Sequence, residues 1–377
     1  MQRVLMVSKP VSPPWNDSSK NLVRDLASSM TRYRPLVMGA AGQPAAIAGV
    51  ESEAVYPARS GAFAPALADN ARVLKRLLLG RQADLWHFFF APNPRSSRVC
   101  HAAARLRRAP TVQTICSAPA DTGDLPALLF ADRSVVLSQA TEARVLEAGL
   151  APERVRRIAP AVAPLEPIAA DRLDDTRRQL DLPVGQALIV YPGDLEFSSG
   201  AELSLRSLAA LTRSDVTLVM ACRAKTPRAQ QAEQGARALA RELGIAERVR
   251  WLGETRRIHE LLGCADIVML PSETLYAKMD LPLVLIEAMY LERPILVARD
   301  TPAEELAEGE AACVVETSVD ATGAALQALL DDAESRRQLG ARARRAALGR
   351  YHPHIMAQRY EQLYDELLGP SAQGPSM

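Results

Sequence analysis

The chain has 377 residues, of which 48% are hydrophobic and 24% are charged. This composition excludes a short peptide, a toxin or a zinc module, argues against wholesale disorder and, at about 150 residues per domain, predicts two domains or one large one. Lys and Arg total 45 against 44 for Asp and Glu, so no strong overall field favours nucleic acid as a partner.

The first half of the chain alternates short apolar runs with helical patterns. Asn16, Asp17 and Ser18 are candidate caps for the first helix. Predicted strands are 3–8, 35–39, 84–89, 111–115, 134–137 and 155–158, and further predicted helices are 70–79, 97–106 and 140–148. Such alternation builds a parallel sheet that is covered by helices on both faces.

A domain boundary is predicted between residues 160 and 183, where prolines cluster and the polar stretch 171–179 interrupts the apolar runs. A second alternating block follows. Its predicted strands are 187–191, 216–221, 249–252, 267–270, 294–298 and 312–315, and its predicted helices are 200–211, 227–243, 256–263, 282–290, 303–307, 321–330 and 333–350. Two doubly wound domains place a cleft between the carboxyl ends of both sheets, where such sheets bind ligands.

The five cysteines are far apart and form no C-x-x-C pair, which favours a reducing compartment over a zinc cage or a disulfide framework. The N-terminal apolar run is too short for a signal peptide, and no window approaches 18 uncharged apolar residues. We therefore expect a cytoplasmic protein that could contact a membrane peripherally.

Segments in both halves carry a resemblance to a known family. They are 251–254, 261–272, 282–289 and 293–298 in the second half, 135–149 and 155–160 in the first, and the last helix, 355–368. In order and spacing they resemble the retaining, nucleotide-sugar-dependent enzymes of glycosyltransferase family 4.

The resemblance implies the GT-B fold, an α/β architecture of two doubly wound Rossmann-like domains with an interdomain cleft. Residues 1–165 would be the acceptor domain and 166–352 the nucleotide-sugar donor domain. A helix at 353–368 would cross back to the first domain, and 369–377 would be a flexible tail.

The implied reaction transfers a sugar from a nucleoside diphosphate sugar to an unidentified acceptor, which could be a glycan, a lipid or a small molecule. The resemblance implies that no protein nucleophile and no metal take part, and that the nucleotide sugar is a substrate, with no cofactor expected. The departing diphosphate is stabilised electrostatically and can help to deprotonate the acceptor.

Donor-binding residues can be transferred from the family position by position. Glu287 matches a glutamate that accepts hydrogen bonds from the ribose, although an acid near a helix N-terminus can also serve only the helix dipole. The resemblance further places Gly193, Asp194, Asp280 and Leu283 at the donor.

The sequence departs from the family at the phosphates and at the donor sugar. An Arg and a Lys of the family's phosphate loop are replaced by Asp194 and Ser199, and the first acid of the family's E-x7-E pair is replaced by Met279. Losing two charge-assisted hydrogen bonds to the departing phosphate would cost roughly a hundred-fold to ten-thousand-fold in rate. A non-catalytic GT-B protein that binds a nucleotide sugar or a partner enzyme is therefore the main alternative. A nucleotide-sugar epimerase is a third and weaker one.

We expect Lys278, acting with Arg223 or Lys225, to replace the missing cations at the departing phosphate. Lys278 would then be a catalytic residue. The alternative is that all three are solvated surface charges, which is the usual situation of Lys and Arg.

On the acceptor side, His87 lies at the end of a predicted strand, where the family often has a histidine near the reacting centre. It could donate a hydrogen bond to the donor sugar or the acceptor, or it could be a buried histidine that the backbone satisfies. Asn16, Asp17, Ser18 and Ser19 occupy the place of the family's glycine-rich first loop, and helix capping explains them equally well.

Overall fold

A computed structural model describes residues 1–43, 47–58, 66–91, 93–117, 125–224, 226–276 and 278–369. The chain divides into two compact units. The first comprises Met1–Ala163, Lys278–Asp280 and Tyr351–Met377, and the second comprises Pro164–Ala277 and Leu281–Arg350.

The first unit contains a parallel sheet with seven strands among the described residues, in the order β3-β2-β1-β4-β5-β6-β7. The strands are β1 (Arg3–Val7), β2 (Arg34–Ala40), β3 (Glu51–Tyr56), β4 (Leu85–Phe89), β5 (Thr111–Ile115), β6 (Arg133–Val136) and β7 (Val155–Arg157). Strands β4 and β5 are buried along their whole length, as expected for a parallel sheet covered on both faces. The strand order reverses between β1 and β4.

The helices between these strands are α1 (Ser18–Ser29), α2 (Leu67–Leu79), α3 (Pro94–Arg107), α4 (Leu125–Leu128) and α5 (Gln139–Glu147), with a 3-10 turn at Pro152–Arg154. Helix α1 buries Leu22, Val23 and Leu26. These apolar residues recur at helical spacing and therefore lie on one face of the helix. Helices α3 and α5 begin at side-chain caps, Asn93 and Ser138.

Strand β3 was not predicted from the sequence. Its residues, ESEAVY, carry three polar side chains at the start, and several of them are exposed because β3 is the edge strand of the sheet. An edge strand buries too little surface to require the apolar run by which the other strands were recognised.

The second unit contains a parallel sheet whose described strands follow the order β10-β9-β8-β11-β12-β13. They are β8 (Ala187–Tyr191), β9 (Val216–Met220), β10 (Val249–Trp251), β11 (Ile267–Leu270), β12 (Ile295–Ala298) and β13 (Cys313–Val315). Its helices are α6 (Ala170–Gln179), α7 (Gly200–Ala210), α8 (Pro227–Glu242), α9 (Ile258–Cys264), α10 (Leu283–Tyr290), α11 (Val319–Asp331) and α12 (Ala333–Arg350). Pro302–Ala307, expected as a helix, is a 3-10 helix, and Ala246–Arg248 is a second one.

Helix α6 lies in the polar stretch 171–179, for which the sequence predicted no helix or strand. Its sequence, ADRLDDTRRQ, is polar because the helix is largely exposed. Arg177 fixes it to the second unit, since the guanidinium donates to the carbonyl oxygens of Pro183, Gln186 and Cys264 at 3.0–3.1 Å.

The last helix, α13 (Pro353–Leu368), belongs to the first unit and packs against α1. The Glu361 carboxylate is 1% exposed and accepts hydrogen bonds from the backbone N–H groups of Thr31 and Arg32, each at 2.7 Å. Apart from Gly369, the tail predicted at 369–377 lies outside the described residues. Within the described ranges, no helix combines the length and the apolar character that a bilayer crossing requires.

Candidate functional site

The strand order of the second sheet reverses between β8 and β11, which are paired neighbours. In open parallel sheets, ligands bind at such a reversal, beyond the carboxyl ends of the strands. Two loops meet there, residues 192–199 after β8 and residues 271–276 after β11. We call these two loops together the switch-point site.

Two glycines allow the loop after β8 to pass close to other side chains. A Cβ at Gly193 would lie 2.1 Å from Cζ of Tyr191, and a Cβ at Gly200 would lie 2.1 Å from Oγ of Ser272. The Tyr191 hydroxyl donates to the carbonyl oxygen of Asp194 at 2.9 Å. Space, rather than backbone conformation, therefore requires glycine at both positions.

The side chain of Asp194, which replaces the family's arginine, serves the loop itself. Its Oδ1 accepts hydrogen bonds from the N–H groups of Glu196 at 2.5 Å and Phe197 at 3.1 Å. The Glu196 carboxylate in turn accepts from Oγ1 of Thr226 at 2.5 Å. The loop is thus held by carboxylates at the place where the resemblance implies cations.

Ser199, which replaces the family's lysine, binds an acid from the other loop. Its backbone N–H lies 2.9 and 3.1 Å from the two carboxylate oxygens of Glu273, and its hydroxyl donates to Glu273 Oε2 at 2.7 Å. Ser199 is the N-cap residue of α7, whose own side chain makes no capping hydrogen bond. The carboxylate therefore supplies negative charge at the positive end of the helix dipole.

Two exposed aromatic rings also join the loops of the switch-point site. Phe197 is 41% exposed and Tyr276 is 45% exposed, which makes them the most exposed Phe, Tyr or Trp side chains among the residues that the structure describes. Their centroids lie 5.5 Å apart at an interplanar angle of 79°, an edge-to-face contact.

Glu287 lies on α10, and its side chain is 15% exposed. Its Oε1 is 3.4 Å from Nε2 of His259 on α9, an ion-pair distance when the imidazole is protonated. Sequence reasoning did not connect His259 to Glu287. The position of Glu287 leaves a partly accessible carboxylate within the second unit, as a ribose partner would need. Leu283, expected at the donor, is 4% exposed and begins α10.

Arg223 follows β9 and forms an ion pair with Glu254, which follows β10, at an Nη1–Oε1 distance of 3.2 Å. The Arg223 side chain is 24% exposed and that of Glu254 is 48% exposed. Exposed pairs of this kind are weak, so the pair could open for a stronger anion. Lys225, the alternative cation, lies outside the described residues.

Lys278, Met279 and Asp280 group with the first unit, whereas Arg223 and Glu287 belong to the second. The structure therefore does not bring these expected donor residues together within one unit. Met279 is 4% exposed and Asp280 is fully buried.

The buried Asp280 has partners at the carboxyl ends of strands in the first sheet. Its Oδ2 accepts from Ser138 Oγ at 3.1 Å, and its N–H donates to the carbonyl oxygen of Cys116 at 3.1 Å. Burial, with Asp280 and Asp17 nearby, raises the pKa of the Cys116 thiol to about 12 although Lys9 acts in the opposite direction. Asp280 thus holds the segment 278–280 on the first unit, and its expected contact with a donor stays a prediction.

Within 16–19, Asp17 makes the contacts of a helix cap. It accepts from the N–H groups of Ser19 and Lys20 at 3.0 and 3.4 Å, and its Oδ2 lies 2.8 Å from Lys9 Nζ. Burial alone would raise the pKa of Asp17, but Lys9 and these hydrogen bonds together lower it to about 2. The geometry supports the capping interpretation, while contacts of Asn16 and Ser18 with a ligand stay a prediction.

His87 lies inside β4 and exposes no surface. Its Nδ1 is 2.7 Å from the Tyr364 hydroxyl and its Nε2 is 2.7 Å from Thr114 Oγ1, which is 3.0 Å from the Tyr360 hydroxyl. Burial lowers the pKa of His87 well below 6.5. The structure supports the alternative of a buried histidine, with side-chain partners in place of the expected backbone ones, and this burial argues against a catalytic role.

Among the described ranges, no group of three or more His, Cys, Asp or Glu side chains is arranged to hold a metal ion. The contacts that sequence reasoning missed are those of Glu273, Glu254 and His259. A signal for Glu273 was present, because it directly follows Pro271-Ser272 after a predicted strand, at the edge where ligands bind.

Comparison with known proteins decides the nature of the second unit. The profile of the family described as "Glycosyl transferases group 1" matches residues 173–346. Residues 173–346 are a glycosyl transferase group 1 domain. The switch-point site, Arg223 and Glu287 all lie inside this domain, whereas His87 and Asn16–Ser19 lie outside it.

Curated proteins that are similar to this chain include the N-acetyl-alpha-D-glucosaminyl L-malate synthase of Bacillus anthracis, 33% identical over 139 residues, which are 36% of this chain and 35% of the relative. The D-inositol 3-phosphate glycosyltransferase of Corynebacterium diphtheriae is 32% identical over 203 residues, 51% of this chain and 46% of the relative. The chain thus spans about a third to a half of the length of these curated relatives.

Solved structures match the whole chain in fold. Anabaena HepE, crystallised with UDP and glucose, has a TM-score of 0.79 at 18% identity and covers 97% of this chain and 100% of its own. WaaG, a glycosyltransferase involved in lipopolysaccharide biosynthesis, has a TM-score of 0.68 at 17% identity over 98% of this chain and 100% of its own. The chain therefore has the GT-B fold with two parallel Rossmann-like sheets, as the sequence predicted.

Proposed function

We propose that this chain is a retaining glycosyltransferase that moves a sugar from a nucleoside diphosphate sugar to an acceptor. The observation that carries the proposal is Glu287, a partly exposed carboxylate on α10 inside the group 1 domain. A carboxylate there can accept two hydrogen bonds from the ribose hydroxyls of a nucleotide.

The base of the donor is proposed to be uracil. HepE binds UDP and glucose in its crystal structure, and its fold covers nearly all of this chain. At 18% identity the likeness extends to the fold alone, so the base is a hypothesis to be tested with UDP, GDP and ADP sugars in parallel.

In the proposed reaction the protein supplies charge stabilisation rather than a nucleophile. We assign Arg223 of the second unit to the diphosphate. To bind it, Arg223 would leave its weak ion pair with Glu254. Lys278 is proposed to assist it. The domains are proposed to be an acceptor domain formed by the first unit and a donor domain formed by the second.

The test replaces Glu287 by Gln, which keeps the shape and removes the charge. We expect affinity for UDP-glucose to fall about ten-fold, the equivalent of one hydrogen bond to a charged group. Isothermal titration calorimetry measures binding, and a nucleotide-release assay measures turnover. Glu292→Gln is the matched control, because Glu292 follows the C-terminal end of α10. Equal affinity of Glu287→Gln and wild type would remove Glu287 from the donor site.

A non-catalytic nucleotide-sugar-binding protein is the second candidate. It is favoured by Asp194 and Ser199, which carry no positive charge, and by Met279, which is buried where the resemblance implies an acid. UDP-glucose binding with no nucleotide release across glycan, lipid and small-molecule acceptors would favour this candidate over the transferase.

A further inference from the structure

Glu273 stands in the switch-point site, beside the loop at which the family resemblance places the donor's diphosphate. The loop that carries Ser199 is the one that the resemblance assigns to the phosphates, and the structure brings Glu273 to it from the neighbouring loop. Both residues are exposed, so solvent and ligands have access to the contact.

The contact uses the donors that an anion would use. Ser199 gives both its N–H and its hydroxyl to the Glu273 carboxylate, at 2.7–3.1 Å. The N-terminal end of α7 adds a favourable field for negative charge. A phosphate group that approached Ser199 would find these donors already engaged.

The surrounding carboxylates further disfavour the binding of a phosphate at Ser199. Asp194 and Glu196 lie in the same loop and hold it through hydrogen bonds of their own. A diphosphate entering the site would therefore meet three carboxylates. Like charges that lie close together destabilise one another.

We propose that Glu273 is an internal competitor of the donor's diphosphate, and so a residue that determines affinity for the donor. The carboxylate must leave Ser199 before a phosphate can bind there. This inference rests on the proposed function, because it assumes that a nucleoside diphosphate enters the switch-point site.

The experiment titrates UDP into wild type and into Glu273→Gln and Glu273→Ala by isothermal titration calorimetry. The Gln side chain keeps an oxygen acceptor for Ser199 but carries no charge, whereas the Ala variant removes the acceptor. Glu242→Gln is the matched control, since it makes the same change in net charge at the exposed C-terminal end of α8, at the opposite edge of the sheet. Circular dichroism and thermal denaturation verify that each variant is folded.

Glu273→Ala is expected to bind UDP about ten-fold more tightly than wild type, which corresponds to freeing the donors of one charge-assisted hydrogen bond, and Glu273→Gln is expected to bind more tightly than wild type by a smaller factor. Glu242→Gln should bind as wild type does. If wild type binds UDP and the Glu273 variants bind equally or more weakly, the inference is overturned while the proposed donor function stands. If no folded variant binds UDP, GDP or ADP, the proposed function fails and the inference with it.

Discussion

The buried histidine of β4 gives a pH-dependence that can be calculated from its surroundings. His87 is fully buried, and its pKa in the folded chain is well below 6.5 because burial disfavours the imidazolium. In the unfolded chain its pKa returns to about 6.5, so the unfolded state binds the proton more readily as the pH falls. The titration of His87 therefore leaves the free energy of unfolding unchanged well above about pH 6.5 and lowers it as the pH falls below about 6.5.

The magnitude follows from the unfolded state alone as long as the folded imidazole stays neutral. Between about pH 7.5 and pH 5.5, protonation of an unfolded histidine lowers the free energy of unfolding by about 1.4 kcal/mol. Other titrating groups also contribute, but they are shared by wild type and a His87 variant. The difference between the two pH-dependences isolates His87.

The assay is urea denaturation of wild type and His87→Gln at both pH values. Removing the imidazole should reduce the loss of stability on acidification by about 1.4 kcal/mol. His87→Ala should in addition lower stability at neutral pH by about 3–6 kcal/mol, because it leaves a cavity and deprives the Tyr364 hydroxyl of its partner. His101→Gln, at an exposed position on α3, is the matched control for the loss of one histidine side chain.

An unchanged pH-dependence in His87→Gln would refute this reasoning. It would mean that the imidazole is as accessible to protons in the folded chain as in the unfolded one. The interpretation of His87 as a structural residue would then be lost, and a role near the reacting groups would return.

Two further predictions concern packing. Gly193→Ala should lower the free energy of unfolding, measured by urea denaturation, by about 1–3 kcal/mol, because its Cβ would lie 2.1 Å from the Tyr191 ring. The control Gly235→Ala lies in open space on α8 and should not destabilise the chain. Equal effects of the two substitutions would contradict the packing argument. Glu361→Ala should lower the free energy of unfolding by about 3–5 kcal/mol, because the Arg32 side chain and the backbone N–H groups of Thr31 and Arg32 lose a buried acceptor. The control Glu366→Ala removes an exposed ion pair and should lower it by at most about 1 kcal/mol. A small effect at Glu361 would show that the docking of α13 does not depend on it.

Sequence reasoning succeeded for elements whose own residues require burial. The run Leu85–Phe89 is apolar apart from His87 because β4 is covered on both faces, and it was recognised as a strand. Strand β3 and helix α6 were missed for the converse reason. Both lie at the surface, and their polar sequences carry little periodic signal.

The candidate site was only partly readable from the sequence. Glu287 and the loop 193–200 could be placed because motif and spacing are local. The partner of Ser199 could not, since Glu273 is 74 residues away and the two meet only because β11 pairs with β8. Likewise, the pattern showed His87 in a predicted strand but not the Tyr364 hydroxyl of α13 that contacts it.

The sequence by itself determined two alternating α/β blocks, the family resemblance and the absence of the usual phosphate-binding cations from the loop 193–200. Only the tertiary structure decided which side chains from other segments contact that loop, because a parallel sheet brings together strands that are not consecutive in the chain. The contact of Glu273 with Ser199 and the burial of His87 both depend on that arrangement.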